Sequence, residues 1–314
     1  MFTSLNKTLL VGTLLATASA ATAQTVLLND TFTSATRNGT APSVSGVDRD
    51  GVGTTNDYVV ATNGNAAQAT GVTNDYASNV GTGINGNSFF VINPAGAYSV
   101  STYFTSTALA AGESISVSFN IRSTLANPGA GTGAFRVGLF NSGGTRLANN
   151  QSAFGGSGAF TDDVGYIANY STNAAAVNQI VQERTTAVAT NNIFQGTFGQ
   201  VGTAVSTANT LAFDTIYAAT LTLARSGDGS TMSISSTFNG INLNVNDAVT
   251  PYTTFDHLSI FFGSQFGNAT TPRTNYIDDV TVTFTPIPEP SSYATLAGLG
   301  VIGLVALRRR RSAT

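Results

Sequence analysis

The sequence predicts an all-β fold, a two-sheet jelly roll or β-sandwich, set between an N-terminal signal peptide and a single C-terminal transmembrane helix. Three observations lead there. Apolar residues alternate with Ser, Thr and Asn in one segment after another, as half-buried strands require. Gly-rich turns separate these segments. Charged residues make up only 9% of the 314 positions, while Gly alone supplies 33, a composition suited to strands and tight turns rather than solvated helices.

Residues 1–23 read as a secretory leader. Lys7 supplies a positive charge, and Leu9, Leu10, Val11, Leu14 and Leu15 form an apolar run too short to span a bilayer. Ala21-Thr22-Ala23 then offers the small-x-small pattern of a cleavage site, with Ala21 and Ala23 as its recognition residues and Gln24 as the first residue of the mature chain.

Residues 24–286 form the β-sandwich ectodomain. Leu28 to Phe32 reads as its opening strand, and the stretch from about Thr40 to Gly86 is irregular enough to predict long loops or edge strands. The clearest alternation is Ser114 to Arg122, where Ile115, Val117, Phe119 and Ile121 share one face. The same period recurs at Phe135, Val137 and Leu139, and again at Leu221 and Leu223. It continues through Met232, Ile234 and Phe238, then Ile241, Leu243 and Val245. Leu258, Ile260 and Phe262, followed by Val280, Val282 and Phe284, complete the series. Ser226 to Ser230 predicts a hairpin turn, and Asn141 to Thr145 predicts a second. The best candidate helix in this region is Asn173 to Arg184, whose apolar residues are mostly alanine.

The tail changes character. Ile287-Pro288-Glu289-Pro290 precedes an uncharged run, about residues 293–307, that ends on Arg308, Arg309, Arg310 and Arg311. At 1.5 Å per residue this run is about 22 Å long, against a hydrocarbon core of roughly 30 Å, so it spans with thinning of the bilayer or snorkelling of the arginines. The arginines hold that end in the cytoplasm, which places the preceding chain across the membrane. The Pro288-Glu289-Pro290 triplet, the helix containing Gly298, Gly300 and Gly303, and the arginine cluster stand in the order of the PEP-CTERM sorting signal of Gram-negative bacteria, which residues 287–314 resemble. The leader predicts export by the Sec machinery and the uncharged run transient anchoring in the inner membrane, and the resemblance implies recognition by an integral-membrane exosortase. It further implies cleavage near the triplet and delivery to the outer surface or exopolysaccharide matrix. In that process these residues are a substrate.

The ectodomain is also similar in pattern to concanavalin-like jelly-roll domains. Leu28 to Phe32 stands as the opening strand, Phe135 to Phe140 as a central one, and Asn275 to Val282 as the closing one. First and last strands commonly pair in such folds, which implies that Asp30 lies near Asp278 or Asp279.

Composition excludes several functions. Lys7 and the four terminal arginines are set apart at the chain ends, so the ectodomain has only arginine as a cation and carries a net negative charge. Such a surface repels phosphate backbones, which argues against nucleic acid as a partner. With no cysteine, neither disulfides nor thiolate metal sites are available. The 19 Phe and 10 Tyr supply a core that a disordered chain would lack.

Candidate chemistry is sparse. A glycosidase needs two carboxylates across the scissile bond, yet Glu113 reads as a turn residue before a strand and Glu183 as half of a solvated pair with Arg184. His257 is the only histidine, and no G-x-S-x-G or H-E-x-x-H motif accompanies it, so it reads as an exposed turn residue. Gly81 to Gly86 matches G-x-G-x-x-G, but Phe89 to Ile92 follow as a strand where a phosphate-binding helix should start. Calcium is the one cofactor the acids suggest, either at Asp48-Arg49-Asp50-Gly51 or as a structural ion held by Asp30, Asp278 and Asp279.

These features predict a non-catalytic cell-surface or matrix protein. A carbohydrate-binding module is the alternative, with Tyr58, Tyr76, Tyr98, Tyr103, Tyr166 and Tyr170 as candidate stacking platforms for a polysaccharide, although core packing competes for the same rings. A glycan hydrolase has the least support.

Overall fold

The computed structural model describes residues 24–30, 32, 58–62, 69–73, 88–93, 96–124, 131–147, 160–185, 193–194, 197–212, 214–266, 273–287 and 300. The chain divides into two compact units, Gln24–Pro286 and the pair of end segments Met1–Ala23 and Ile287–Thr314. Nearly everything described belongs to the first.

Among its described residues that unit contains fourteen strands. The first seven are β1 (Thr25–Asp30), β2 (Tyr58–Thr62), β3 (Ala69–Thr73), β4 (Ser88–Asn93), β5 (Tyr98–Ala108), β6 (Ser114–Ser123) and β7 (Gly131–Asn141). After them come β8 (Val164–Arg184), β9 (Phe198–Asn209), β10 (Ile216–Arg225), β11 (Met232–Phe238), β12 (Ile241–Asp247), β13 (Thr254–Phe262) and β14 (Arg273–Thr285). They form two antiparallel sheets. One has eight strands, in the order β12-β11-β10-β6-β14-β4-β3 with β1 also on β14, and the other has six, in the order β2-β5-β13-β7-β8-β9.

Alternation dictates the sandwich. Ile115, Val117, Phe119 and Ile121 of β6 face inward with Leu221 and Leu223 of β10 and Val280 and Val282 of β14, and all are buried. From the other sheet, Phe135, Val137 and Leu139 of β7 meet Leu258, Ile260 and Phe262 of β13 in the same core. Each fully buried side chain of this size contributes about 1.5–3 kcal/mol relative to exposure. Phe135 stacks on Phe238 across the two sheets with ring centroids 4.3 Å apart. Two tyrosines add polar ties between the sheets, because Tyr170 Oη donates to Ser236 Oγ (2.8 Å) and Tyr166 Oη donates to Asp247 Oδ2 (2.6 Å).

The predicted strand faces, the β10–β11 hairpin at Ser226–Ser230 and the pairing of first and last strands are all present. Within the irregular 40–86 stretch, β2 and β3 are both edge strands, and the remainder, including Asp48 to Gly51 and Gly81 to Gly86, lies outside the described residues. Two expectations are corrected. Asn141 to Thr145 does make a tight turn, with Thr145 N–H donating to Ser142 C=O (2.9 Å), and β8 does pair back onto β7, but from Val164 opposite Asn141, so the turn opens a long connection and does not by itself close the hairpin.

The segment Asn173 to Arg184 is strand, the second part of β8, and not helix. β8 doubles back on itself. Asn169 Nδ2 donates to Gln182 Oε1 at 2.8 Å across 13 positions, a separation that an unbroken strand would stretch to about 40 Å. Exposed Ala174–Ala176 form the tip, and the Gln179 carboxamide accepts from Ser171 N–H and donates to Ser171 C=O, so a side chain stands in for a peptide group. Pairing with β7 and β9 overrides the alanine-rich local preference for helix.

Gly165 shows how closely β8 approaches β7. A Cβ there would lie 2.2 Å from the Leu139 carbonyl oxygen, whereas one at Gly227 in the hairpin turn would meet nothing within 4 Å. Gly165→Ala is expected to destabilise the protein by about 2–4 kcal/mol in equilibrium denaturation, and Gly227→Ala by less than about 1 kcal/mol. Equal effects would show that the approach of β8 to β7 is looser than described.

Candidate functional site

The densest group of ionisable side chains lies on the outward face of the six-stranded sheet. Along β13, Phe255, Leu258, Ile260 and Phe262 point into the sandwich core, and a bulge between Phe255 and His257 sets the alternation so that His257 and Phe261 point the other way. This face is not open to solvent. Phe140, Phe160, Ile167, Ile193, Phe194 and Phe261 cover it as a second apolar cluster.

His257, expected in an exposed turn, is fully buried there, 0% exposed. Its Nδ1 lies 2.6 Å from Asp163 Oδ2, and Asp163 is equally buried. The imidazole stacks between Tyr103 (4.5 Å) and Phe160 (5.7 Å), with Phe140 at its side. Burial pushes the Asp163 carboxyl above the usual carboxylate range, and the hydrogen bond and charge of His257 oppose that shift. Arg184 donates to the Asp163 carbonyl oxygen. Next to His257, both carboxylate oxygens of Asp256 accept from Ser142, one from its N–H (2.7 Å) and one from its hydroxyl (2.8 Å).

These bonds fasten Ser142 and Asp163, at the ends of the β7–β8 connection, onto β13. Among the described residues His257 Nε2 has no hydrogen-bond partner, and aromatic rings seal the pair from solvent. A general base needs reach to a substrate proton, so the geometry describes a structural clasp. Glu113 is likewise structural, because its Oε2 accepts from Ala110 N–H (2.7 Å) in the turn before β6. Glu183 lies beside Gly199, not in an ion pair with its neighbour Arg184, whose guanidinium turns to Asp163.

A second group sits where β14 changes partners. Its first part pairs with β4 and its later part with β1, and a bulge at Asp278–Asp279 marks the change, with Asp279 at φ 52°. Asp30 and Asp278 do come together here. Burial, and then the charges of Asp279 and Asp30, push the Asp278 carboxyl up to about 7, while the Asp279 N–H donated to its Oδ1 (2.8 Å) pulls the other way. Asp279 is exposed, and its Oδ2 accepts from Asn120 Nδ2 (3.0 Å). The bulge separates the acids: Asp278 is buried and Asp279 turned toward solvent. Among the described residues no group of three or more His, Cys, Asp or Glu side chains could hold a metal ion, so the calcium expected of Asp30, Asp278 and Asp279 finds no cage here.

Of the tyrosines that could have stacked on a sugar, Tyr58, Tyr98, Tyr166 and Tyr170 are core residues and Tyr103 is the half-buried partner of His257. Tyr76 lies outside the described residues, as do Ala21, Ala23, Pro288, Glu289, Pro290 and Arg308–Arg311. Among the described residues no helix is long and apolar enough to cross a membrane, and the segment 293–307 falls outside them apart from Gly300.

The clasp was not legible as such in the sequence. The one available signal was that His257 occupies an outward position in a strand whose inward positions, Leu258, Ile260 and Phe262, are apolar.

Two predictions follow from these geometries. His257→Ala leaves the Asp163 carboxylate buried without its partner, and about 3–5 kcal/mol of stability should be lost in denaturant unfolding at neutral pH; a loss below about 1 kcal/mol would mean that the pair is not the clasp described. Asp278 has its folded pKa above the unfolded value of about 3.9, so the stability it permits is complete below about pH 4 and falls as pH rises through 7. Asp278→Asn keeps the Oδ1 acceptor, and it should flatten the decline between pH 4 and 7 and raise the melting temperature at pH 8. A variant less stable than the wild type at pH 8 would contradict this.

Comparison with known proteins adds one assignment. Residues 286–311 match the PEP-CTERM protein-sorting motif, so the chain carries a sorting signal of exported bacterial envelope proteins. No curated protein matches the chain in sequence. Among solved structures, lectin II from Ulex europaeus is similar over 73% of this chain and 92% of its own, at 8% identity and a TM-score of 0.37. Peanut lectin is similar over 80% of this chain and 100% of its own, at 11% identity and a TM-score of 0.38. The metal-free Emp46p carbohydrate recognition domain is similar over 73% and 88%, at 8% identity and a TM-score of 0.37. At these scores the likeness adds nothing on ligands to what the two sheets display.

Proposed function

We propose that this chain is a non-catalytic protein of the cell surface or extracellular matrix of a Gram-negative bacterium. In this reading it is exported by the Sec machinery, held briefly in the inner membrane by its C-terminal helix, and released to the outer surface after an exosortase acts at Pro288-Glu289-Pro290. The sorting motif at residues 286–311 carries the reading. The burial of the ectodomain's reactive groups supports its non-catalytic part: His257 and Asp163 are sealed under aromatic rings, and Asp256 is committed to Ser142. The acidic, lysine-free ectodomain argues against nucleic acid as a partner.

The test is fractionation of the native host expressing a copy tagged within the exposed Gly227–Gly229 turn. The wild-type chain is expected at the outer surface or in the matrix, shortened at both ends. A chain lacking residues 286–311 is expected to stay out of that fraction. Recovery of the intact chain from the cytosol would overturn the reading, and release of reducing ends from host polysaccharide by the purified protein would overturn its non-catalytic part.

A further inference from the structure

The two outward faces of the sandwich differ in kind. That of the six-stranded sheet lies under the second apolar cluster. That of the eight-stranded sheet has no such cover among the described residues, and alternate residues of its strands are half-buried or exposed.

Strand register arranges these residues in rows. One row runs Asn29, Thr281, Ser118, Thr220, Thr237 and Asn242 across six strands. The next begins on β1 with the exposed Val26 and then runs Thr283, Ser116, Thr222, Ser235 and Asn244. Neighbouring strands lie about 4.8 Å apart and successive rows about 7 Å apart, so hydroxyl and amide groups stand on a regular grid. Some are already aligned by one another, as Thr220 Oγ1 and Thr237 Oγ1 are at 2.7 Å and Thr281 Oγ1 and Asn29 Oδ1 at 3.2 Å. No charged side chain enters either row. Charge appears at the margins, where Asp279 sits in the bulge, Arg122 pairs with Asp214 beyond one end, and Arg225 donates to the Leu109 carbonyl at the other.

This chemistry excludes most occupants. Nucleic acid and anionic polysaccharide need cations to release their counterions. A lipid surface needs an apolar face with basic residues around it. A protein partner would be met by a core of aromatic residues and Arg, which the rows lack. A neutral polyhydroxylic chain requires none of these. Ser, Thr and Asn both donate and accept, as sugar hydroxyls do, and their short side chains lose little rotamer freedom on docking. With no charge on either partner, no ion must be stripped of water.

Building on the proposed surface location, we infer that the outward face of the eight-stranded sheet is a docking platform for a neutral polysaccharide, laid flat across β14, β6, β10, β11 and β12. It recognises hydroxyl groups on a lattice and does not stack sugar rings on tyrosine.

The experiment is a retention assay with the full chain solubilised from the envelope of its host, using microcrystalline cellulose, mannan and cross-linked dextran as neutral probes and alginate as the anionic one. Retention on at least one neutral probe is expected, unchanged from low salt to about 1 M NaCl. The variant Ser116→Asp/Thr222→Asp/Ser235→Asp should lose retention at least ten-fold. Ser116→Ala/Thr222→Val/Ser235→Ala, which removes hydroxyls without adding charge and decides the matter should the first variant fail to fold, should lose several-fold. Ala174→Asp at the exposed tip of β8 should bind as the wild type. The inference is overturned by no retention on any neutral probe, by salt-sensitive retention on alginate alone, or by row variants that bind as the wild type. A wild-type chain that reaches the cell surface but is not retained overturns this inference alone, whereas one confined to the cytosol overturns the location on which it rests.

Discussion

Strand β14 hydrogen-bonds to β6 along one edge and, along the other, first to β4 and then to β1. Three strands distant in sequence therefore converge on the last strand of the sandwich, and the eight-stranded sheet has no continuous middle until that strand arrives. Val280 and Val282, which fill the core between β6 and β1, come with it. Pairings of such long range are slow to close, because loop entropy is spent before any contact repays it. The change of partner on one edge coincides with the Asp278–Asp279 bulge in the pairing with β6 on the other, where Asp279 is left-handed and the Asp278 carboxyl is buried.

The same construction separates the functional possibilities. On the six-stranded sheet, the His257–Asp163 pair and the Asp256–Ser142 bonds fasten the two ends of the β7–β8 connection to β13, and Phe160 joins the second apolar cluster on the outer face. His257, expected in an exposed turn, instead holds that layer down through Asp163. Among the described residues the eight-stranded sheet has no corresponding layer over its Ser, Thr and Asn rows. One face of the sandwich thus serves its own stability, and the other remains available to the surroundings into which the sorting motif sends it.

Much of the architecture was legible because a strand buried on one side must alternate. Ile115 to Ile121, Phe135 to Leu139 and Leu258 to Phe262 each announced both their conformation and their inner face. β8 did not, because it reads as alanine-rich helix between Asn173 and Arg184 and folds back on itself only through the Gln179 amide and its flanking strands. The tyrosines gave no clue to their fates, since the same residue type serves as core, as cross-sheet tie and as surface platform.

By itself the sequence determined the address and the class of fold. Both are written in local pattern, the first in the sorting motif of residues 286–311 with its Pro-Glu-Pro triplet, the second in period-two alternation. Tertiary structure alone decided that His257 is buried against Asp163, that Asp278 and Asp279 point to different sides of a bulge, and that, among the described residues, the outward face of one sheet lies under an apolar cluster while that of the other presents polar rows. Each of these depends on which distant strand lies alongside, and a residue's own neighbours in the chain carry no record of that.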